Sequence, residues 1–433
     1  MNRWSTRPIE LGLLAVAVAF SALFTAAARL SPLDPPISGS WWWILGLGLL
    51  VTSIALGFTR PTAEQTMLAI AALLVICGTA TIARLDPSLL TDPNVPSALV
   101  LRHGISIAVG LIACIVLALG LRVEWVRRYK YTWLLLSFAL VAVTLLFGRE
   151  IRGARLWLQV GPVQFQPSEL LRLTIAAYLA AYLTERRDVV AAGRRVGTVT
   201  LPSIAHVVPL AVVGAGAVLL LVLQNDLGTA LLLFGITVAM LYVATSRASY
   251  VVIGFVGFAA LAWVAQQVVT RLGVRVQNWA DPWNDPLSSG YQQVQSEYAL
   301  AAGGLFGVGP GRGVPYLIPD VHTDFIFAAI GEELGSVGTV VLLLVMVLFI
   351  GRGMLIALRA PDGFERLLAV GLVSAVAIQT LIIVAGVIRL IPLTGLTLPF
   401  VSYGGSAMIT NLALIGVLLA ISRSRTASSS WPD

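Results

Sequence analysis

Residues 204–246 read IAHVVPLAVVGAGAVLLLVLQNDLGTALLLFGITVAMLYVATS, and how this run is cut decides the fold. It is too long for one membrane span, because about 20 apolar residues suffice to cross the hydrocarbon core. Gln224-Asn225-Asp226 interrupts it near its middle. The run therefore predicts two helices, 204–223 and 227–246, joined by a tight turn. Outward from that turn, apolar runs of similar length recur at 8–29, 40–59, 65–84, 103–121, 131–148, 168–185, 249–270, 336–356, 366–388 and 404–422. The prediction is an all-α, polytopic integral membrane protein with about twelve transmembrane helices. Composition agrees. Of the 433 residues, 58% are hydrophobic and 11% charged, against about 25% charged in a soluble domain. These values exclude a soluble enzyme, a disordered regulator and a nucleic-acid module.

The net charge of +7 comes from 28 basic and 21 acidic residues. It reads as membrane orientation, with no nucleic-acid partner. With the N-terminus in the cytoplasm, 17 basic residues fall on cytoplasmic segments and 10 outside, while Arg172 sits within a span. Cytoplasmic loops carry the excess of Lys and Arg, so both termini are expected in the cytoplasm. The first apolar run is too long for a secretory signal and lacks a clear small-residue cleavage site, so it reads as a first span. Cys77 and Cys114 lie in apolar runs and His103, His206 and His322 are scattered. This pattern predicts neither a disulfide framework nor a His- or Cys-based metal site.

Three external segments then stand out. The longest, 271–323, exceeds what a compact architecture needs and points to function. The segment 149–167 is shorter and charged, with Arg149, Arg152 and Arg155 beside Trp157. Arg forks match phosphate oxygens and Trp sits at headgroup level, so this segment suits an anionic headgroup; ordinary phospholipid contact is the alternative. The third, 389–403, is rich in Pro and Gly and suits a re-entrant turn, which the bilayer tolerates only where protein covers the backbone.

Individual side chains leave paired readings open. Glu169 and Arg172 are spaced i,i+3 and can meet on one helix face, as a structural pair or as substrate contacts. Asp226 suits a helix cap as well as catalysis. Gln292, Gln295 and Ser296 lie among aromatics, in a stretch suited to sugar hydroxyls. Gly303–Gly311 reads as flexible, and no phosphate-binding P-loop is present. Thr323 is placed as a helix cap with Asp324 in the first turn, where a carboxylate is favoured as the anion and ready to accept a proton. A plain capping acid is the other reading. Glu332 and Glu333 are structural or part of a polar cavity. Pro392, Pro399, Gly404 and Gly405 break any helix near the last span.

Taken in order, Gly-Ala-Arg-Leu-Trp, Phe-Gln-Pro-Ser-Glu, Asp-Leu-Gly-Thr, Gly-Tyr-Gln, His-Thr-Asp-Phe-Ile-Phe, Glu-Glu-Leu-Gly and Pro-Phe-Val-Ser-Tyr-Gly-Gly-Ser resemble the shape, elongation, division and sporulation (SEDS) family, the RodA and FtsW proteins. The resemblance covers about 65–423. It implies a ten-helix glycosyltransferase core, an added N-terminal helix pair over 1–64, and a short cytoplasmic tail over 424–433. It implies a bacterial cytoplasmic-membrane enzyme that polymerises lipid II, with undecaprenyl-pyrophosphate-linked glycan as substrate and product. A class B penicillin-binding protein is the implied partner, membrane lipid the solvent, and a divalent cation (Mg or Mn) a possible aid to the pyrophosphate. Asp324 is the implied catalytic residue. Arg149, Arg152, Arg155, Trp157, Glu169, Arg172, Gln292, Gln295, Ser296, His322, Thr323, Ser402 and Ser406 are the candidate substrate contacts. Asp226, Glu332, Glu333, Pro392, Pro399, Gly404 and Gly405 are the candidate structural or cavity residues. The sequence departs from the family pattern at Arg172, where Lys is usual, and at Asn225, where Pro is usual. Within the family the short tails and the 389–400 run look more like RodA members, in elongation. The alternatives are a septal FtsW-like enzyme, a lipid-linked precursor flippase and a non-catalytic scaffold.

Overall fold

The computed structural model describes residues 7–29, 41–59, 64, 66–89, 98–151, 153–160, 163–192, 194–196, 199–201 and 204–424. Among them fifteen α-helices follow in order: α1 (Arg7–Arg29), α2 (Trp41–Thr59), α3 (Thr66–Leu89), α4 (Leu99–Gly120), α5 (Val123–Arg128), α6 (Lys130–Phe147), α7 (Pro167–Ala192), α8 (Ile204–Leu223), α9 (Leu227–Thr245), α10 (Ala248–Val268), α11 (Thr270–Ala280), α12 (Tyr291–Gly303), α13 (Ile326–Arg359), α14 (Gly363–Val387) and α15 (Gly405–Ser424). All but α5, α11 and α12 stand where a span is expected. Among the described residues, nine of them hold a stretch long and apolar enough to cross a membrane. The chain is a polytopic helical membrane protein.

Two external segments expected as loops hold regular structure. The segment 149–167 is a small antiparallel sheet of β1 (Arg149–Ile151), β2 (Ala154–Val160) and β3 (Val163–Phe165), with Arg149 opposite Trp157 and Gln159 opposite Gln164. A further hairpin pairs β4 (Arg194–Val196) with β5 (Val199–Leu201). The 271–323 segment also holds regular structure, α11 and α12. Between them Ser289 donates its N–H to Asp285 over 3.0 Å, which holds that exposed carboxyl below the ordinary carboxylate range.

By packing, the chain divides into two compact units. The first comprises Met1–Gly120, Gln277–Arg352 and Gln379–Arg423. Within it α1 packs on α3 and α2 on α4, so the N-terminal pair is built into this unit. Ser53 of α2 donates to the buried carboxylate of Glu10 in α1, which gives a charge on a span face a partner. From Met67 to Leu85, α3 buries most of its side chains, including the large Arg84.

The main departure in this unit is α13. The expected span 336–356 begins ten residues earlier, at Ile326, and is broken at Gly335, whose φ is 69°. A Cβ there would lie 2.3 Å from the Gly307 nitrogen and 2.4 Å from the Leu305 oxygen, so only glycine fits. An unbroken helix would bond Ser336 N–H to Glu332 C=O, and Val337 N–H to Glu333 C=O. Instead the chain after α12 enters the gap. Val308 and Gly309 donate to Glu332 and Glu333 oxygens over 2.9 and 3.1 Å, and Ser336 and Val337 donate to Gly304 and Leu305 oxygens over 2.9 and 3.0 Å. The stretch read as flexible, Gly303–Gly311, is thus bonded along much of its length.

The second unit comprises Leu121–Val276, Gly353–Ile378 and Ser424–Asp433. In it α6 packs on α7, α7 on α9, and α8 on α9. The only lysine, Lys130, bonds Glu185 over 2.5 Å. Helix α10 packs on α9 and leaves Val252, Phe255, Val256, Leu261 and Trp263 exposed. An apolar helix face of this kind suits lipid as its solvent.

Candidate active site

The residues singled out in the sequence gather into one cluster in each unit. In the first unit, Asp324 is half-buried on a turn ahead of α13. Asp320 makes that turn from the left-handed region, at φ 55°. Its carbonyl accepts from the N–H groups of Thr323 and Asp324 over 3.0 and 3.1 Å and from the Thr323 hydroxyl over 3.0 Å. Thr323 therefore does not cap α13, contrary to expectation. The Phe325 carbonyl accepts from Ala328 and Ala329, which places the cap position there. Asp324 precedes the helix instead of lying in its first turn.

A second loop clamps this turn. Ser402 donates its hydroxyl to the Thr323 oxygen over 2.5 Å and accepts from Leu398 N–H over 2.8 Å, while Tyr403 N–H donates to the His322 oxygen over 2.8 Å. The Pro-Phe-Val-Ser-Tyr motif and the His-Thr-Asp motif are thus two halves of one structure. The loop between α14 and α15 is non-helical, as its Pro and Gly content predicts, with Pro399 buried and Pro392, Gly404 and Gly405 partly covered. Ser406 is buried just after it. Rings pack in tilted pairs beside the turn: Tyr403 lies 5.5 Å from His322 and 5.9 Å from His103 between centroids. His103 is fully buried, and neither ring nitrogen has a hydrogen-bond partner among the described residues. Two of the three scattered histidines therefore flank one tyrosine.

The amides of α12 are spent partly on the fold. Gln292 donates to the Pro319 oxygen over 2.9 Å and Gln293 to the Val387 oxygen over 3.2 Å. Gln295 is half-buried and Ser296 fully buried. Glu332 and Glu333 hold the chain ahead of the Asp324 turn. Val314 N–H donates to Glu332 over 2.8 Å, and Gly311 N–H to Glu333 over 3.2 Å. Arg84 pairs with Glu333 over 3.1 Å, and its guanidinium also donates to the Gly313 oxygen over 3.2 Å. Arg84, one of the ten basic residues expected outside, is absent from the candidate residues read from the sequence. The available signal was a charge at the end of an apolar run, which is costly unless paired.

In the second unit, Pro167 starts α7 and Glu169 lies in its first turn. Glu169 pairs with Arg172 over 3.1 Å, both deeply buried. Ser168 donates to Asp226 over 3.1 Å, and Asp226 caps α9 by accepting from Thr229 N–H over 3.1 Å. Burial pushes the Asp226 carboxyl above the ordinary carboxylate range, opposed by the bonds from Thr229 and Ser168 and by the charge of Arg275. Asn225 turns the chain at φ 62° and donates to the Gly153 oxygen over 3.1 Å, which ties this turn to the β1–β2 hairpin. Arg149 and Arg155 on that hairpin are exposed, bonded to Gln159 and Glu150, and Trp157 is half-buried. Arg152 lies outside the described residues. A cavity of about 280 Å³ is lined by Glu150, Gly153, Arg155, Gln224 and Asn225 among others. Among the described residues no group of three or more His, Cys, Asp or Glu is placed to hold a metal ion.

The Asn225 turn yields a test. Proline at this position cannot reach φ 62° and removes the N–H that bonds the Val222 oxygen. Asn225→Gly keeps the backbone and loses only the Gly153 bond, a cost of about 1 kcal/mol. Asn225→Pro adds backbone strain of order 1–3 kcal/mol. In thermal unfolding of the detergent-solubilised protein the proline variant is expected to melt well below the glycine variant. Equal melting temperatures would contradict this account of the turn.

Residues 64–427 match the FtsW/RodA/SpoVE family, described as cell cycle proteins. The chain is 37% identical over 418 residues to the peptidoglycan glycosyltransferase RodA of Mycobacterium tuberculosis (strain H37Rv), covering 93% of this chain and 88% of that one. That share exceeds what the family match alone supplies, so the likeness reaches into the N-terminal helix pair. Among solved structures, one described as "structural coordination of polymerization and crosslinking by a peptidoglycan synthase complex" superposes with a TM-score of 0.68 at 30% identity, over 84% of this chain and 98% of that one. The rod shape determining protein RodA of Thermus thermophilus superposes with a TM-score of 0.61 at 27% identity, over 84% and 97%.

Proposed function

The chain belongs to the FtsW/RodA/SpoVE family, and from that membership we propose that it is a peptidoglycan glycosyltransferase of the RodA kind, polymerising lipid II outside the cytoplasmic membrane during wall elongation. The observation that carries this reading is the identity along nearly the whole chain to a mycobacterial peptidoglycan glycosyltransferase. The geometry supports it at Asp324, a half-buried carboxylate on a turn fixed from two sides.

In the reaction, Asp324 takes the proton of the acceptor's GlcNAc 4-hydroxyl as general base. The oxygen attacks the donor's MurNAc anomeric carbon, the new C–O bond forms as the bond to pyrophosphate breaks, and polyprenyl pyrophosphate departs with the electron pair. A single displacement converts the α-linkage to β, as in inverting glycosidases. Arginines on the outer face are suited to the pyrophosphate charge. A divalent cation would share that charge as a companion of the pyrophosphate; no resident cage is assigned to it, and no step depends on it. Both termini lie in the cytoplasm, and a class B penicillin-binding protein crosslinks the product.

The test is direct. Purified protein in liposomes, given lipid II, is expected to produce a ladder of glycan strands on a gel. Transport of lipid II across the bilayer with no polymer formed would replace this reading with a flippase.

A further inference from the structure

The break in α13 has a depth. Arg352 is the first charged residue on this helix after Glu333 and pairs with Glu64 over 3.4 Å; a partly exposed charge on a span belongs at headgroup level. Val337 stands fifteen residues before it, which at 1.5 Å rise per residue is about 22 Å away along the axis. The hydrocarbon slab is about 30 Å thick, so the backbone opened at Gly335 lies inside it. Between the two points α13 presents Val337, Val340, Val341, Leu344, Val347 and Leu348 outward, each about half exposed. This is a lipid-facing row.

Hydrocarbon supplies no hydrogen bonds, so a broken helix at this depth must be repaired by protein. The repair is the chain after α12, bonded to residues 332–337 through Gly304, Leu305, Val308 and Gly309. Those bonds carry the tip of that chain to the same depth. At the tip Leu305 and Phe306 are 67% and 80% exposed. Large apolar side chains this exposed call for an apolar neighbour, and Val337, the first of the outward row, donates its N–H to the Leu305 oxygen.

We propose that the Leu305–Phe306 tip is a bilayer anchor of the extracellular segment, its occupant the acyl chains of the outer leaflet. The chain from α12 to α13 is then pinned by lipid on the side of α13, and Asp324 follows the tip by fewer than twenty residues. The pinning fixes the height of that turn against the headgroups. Neither the family assignment nor the chemistry of Asp324 is needed for this inference.

The test uses spin labels on the full chain in lipid nanodiscs, with Cys77 and Cys114 replaced by alanine. Labels are placed at Phe306→Cys, at Val340→Cys as the lipid reference, and at Leu287→Cys as the aqueous reference. Leu287 is 89% exposed but flanked by Asp285, Ser288 and Ser289. Relaxation by oxygen, which partitions into lipid, is compared with relaxation by a water-soluble nickel chelate. The expected result is that position 306 follows 340, with oxygen dominant. A label at 306 that follows 287 overturns the anchor, and so does one shielded from both agents, which would mean that protein covers the tip. Should the cysteine variants not fold, Phe306→Trp supplies the same answer: brominated acyl chains are expected to quench the added fluorescence, and equal emission in brominated and ordinary lipid overturns the proposal.

Discussion

Asp324→Asn is expected to abolish glycan polymerisation by the purified protein, with turnover lowered by about 10²–10⁴-fold, the usual worth of a positioned general base. Asparagine keeps the shape of the side chain and removes its capacity to take a proton. Backbone groups and neighbouring side chains make a set of bonds that clamp the turn. Asp320 accepts backbone N–H groups and the Thr323 hydroxyl, and Ser402 and Tyr403 bond the carbonyls of Thr323 and His322. The variant should therefore melt close to the parent while making no polymer from lipid II. Normal polymer from a well-folded D324N protein would remove Asp324 from the chemistry and leave the enzyme reading without its base. Loss of polymer with collapse of the fold would assign the residue to the turn's stability instead.

Part of the fold and of this site is legible in the sequence, and part is not. Apolar length alone places the twelve long helices, since the bilayer imposes one length on every span. The turn at Gln224-Asn225-Asp226 is legible for the same reason, and Asp226 caps α9 as a carboxylate at a helix start should. The break in α13 was hidden. Its cause is a glycine whose φ is set by the distant chain at residues 304–309, and no local propensity reports that. Thr323 shows the opposite error: a good cap by type, it bonds back to Asp320 because the cap falls at Phe325. The clamp of Ser402 on Thr323 spans 79 positions, and pairing at that separation leaves no periodic trace. The hairpin at 149–165 was masked by its charges, which suggested a loop, although Leu156, Leu158 and Val160 alternate with Arg155, Trp157 and Gln159.

Arg84→Met is expected to be among the most destabilising single changes in the first unit, by about 3–5 kcal/mol, because it leaves a buried carboxylate without its cation. Arg84 and Glu333 are 1% and 2% exposed, so solvent screening does not reduce the effect. The loss is larger than one ion pair suggests. Arg84 also donates to the Gly313 oxygen, and Glu333 also accepts from Gly311 N–H. The pair thus links α3, the lip of the broken helix and the chain that leads to Asp324. Charge, and not packing, should dominate. Methionine retains much of the arginine stem's volume, and the double variant Arg84→Met with Glu333→Gln keeps an acceptor for Gly311 while removing the stranded charge. The double variant is expected to recover more than half of the stability lost by the single one, read from thermal unfolding in detergent. Arg84→Lys should fall between, since it keeps the charge and loses the fork that reaches both partners. If Arg84→Met melts with the parent, the pair contributes nothing net, and the lip of α13 is held by its backbone bonds to residues 304–309 and by the bonds of Glu332 and Glu333 to Val314 and Gly311.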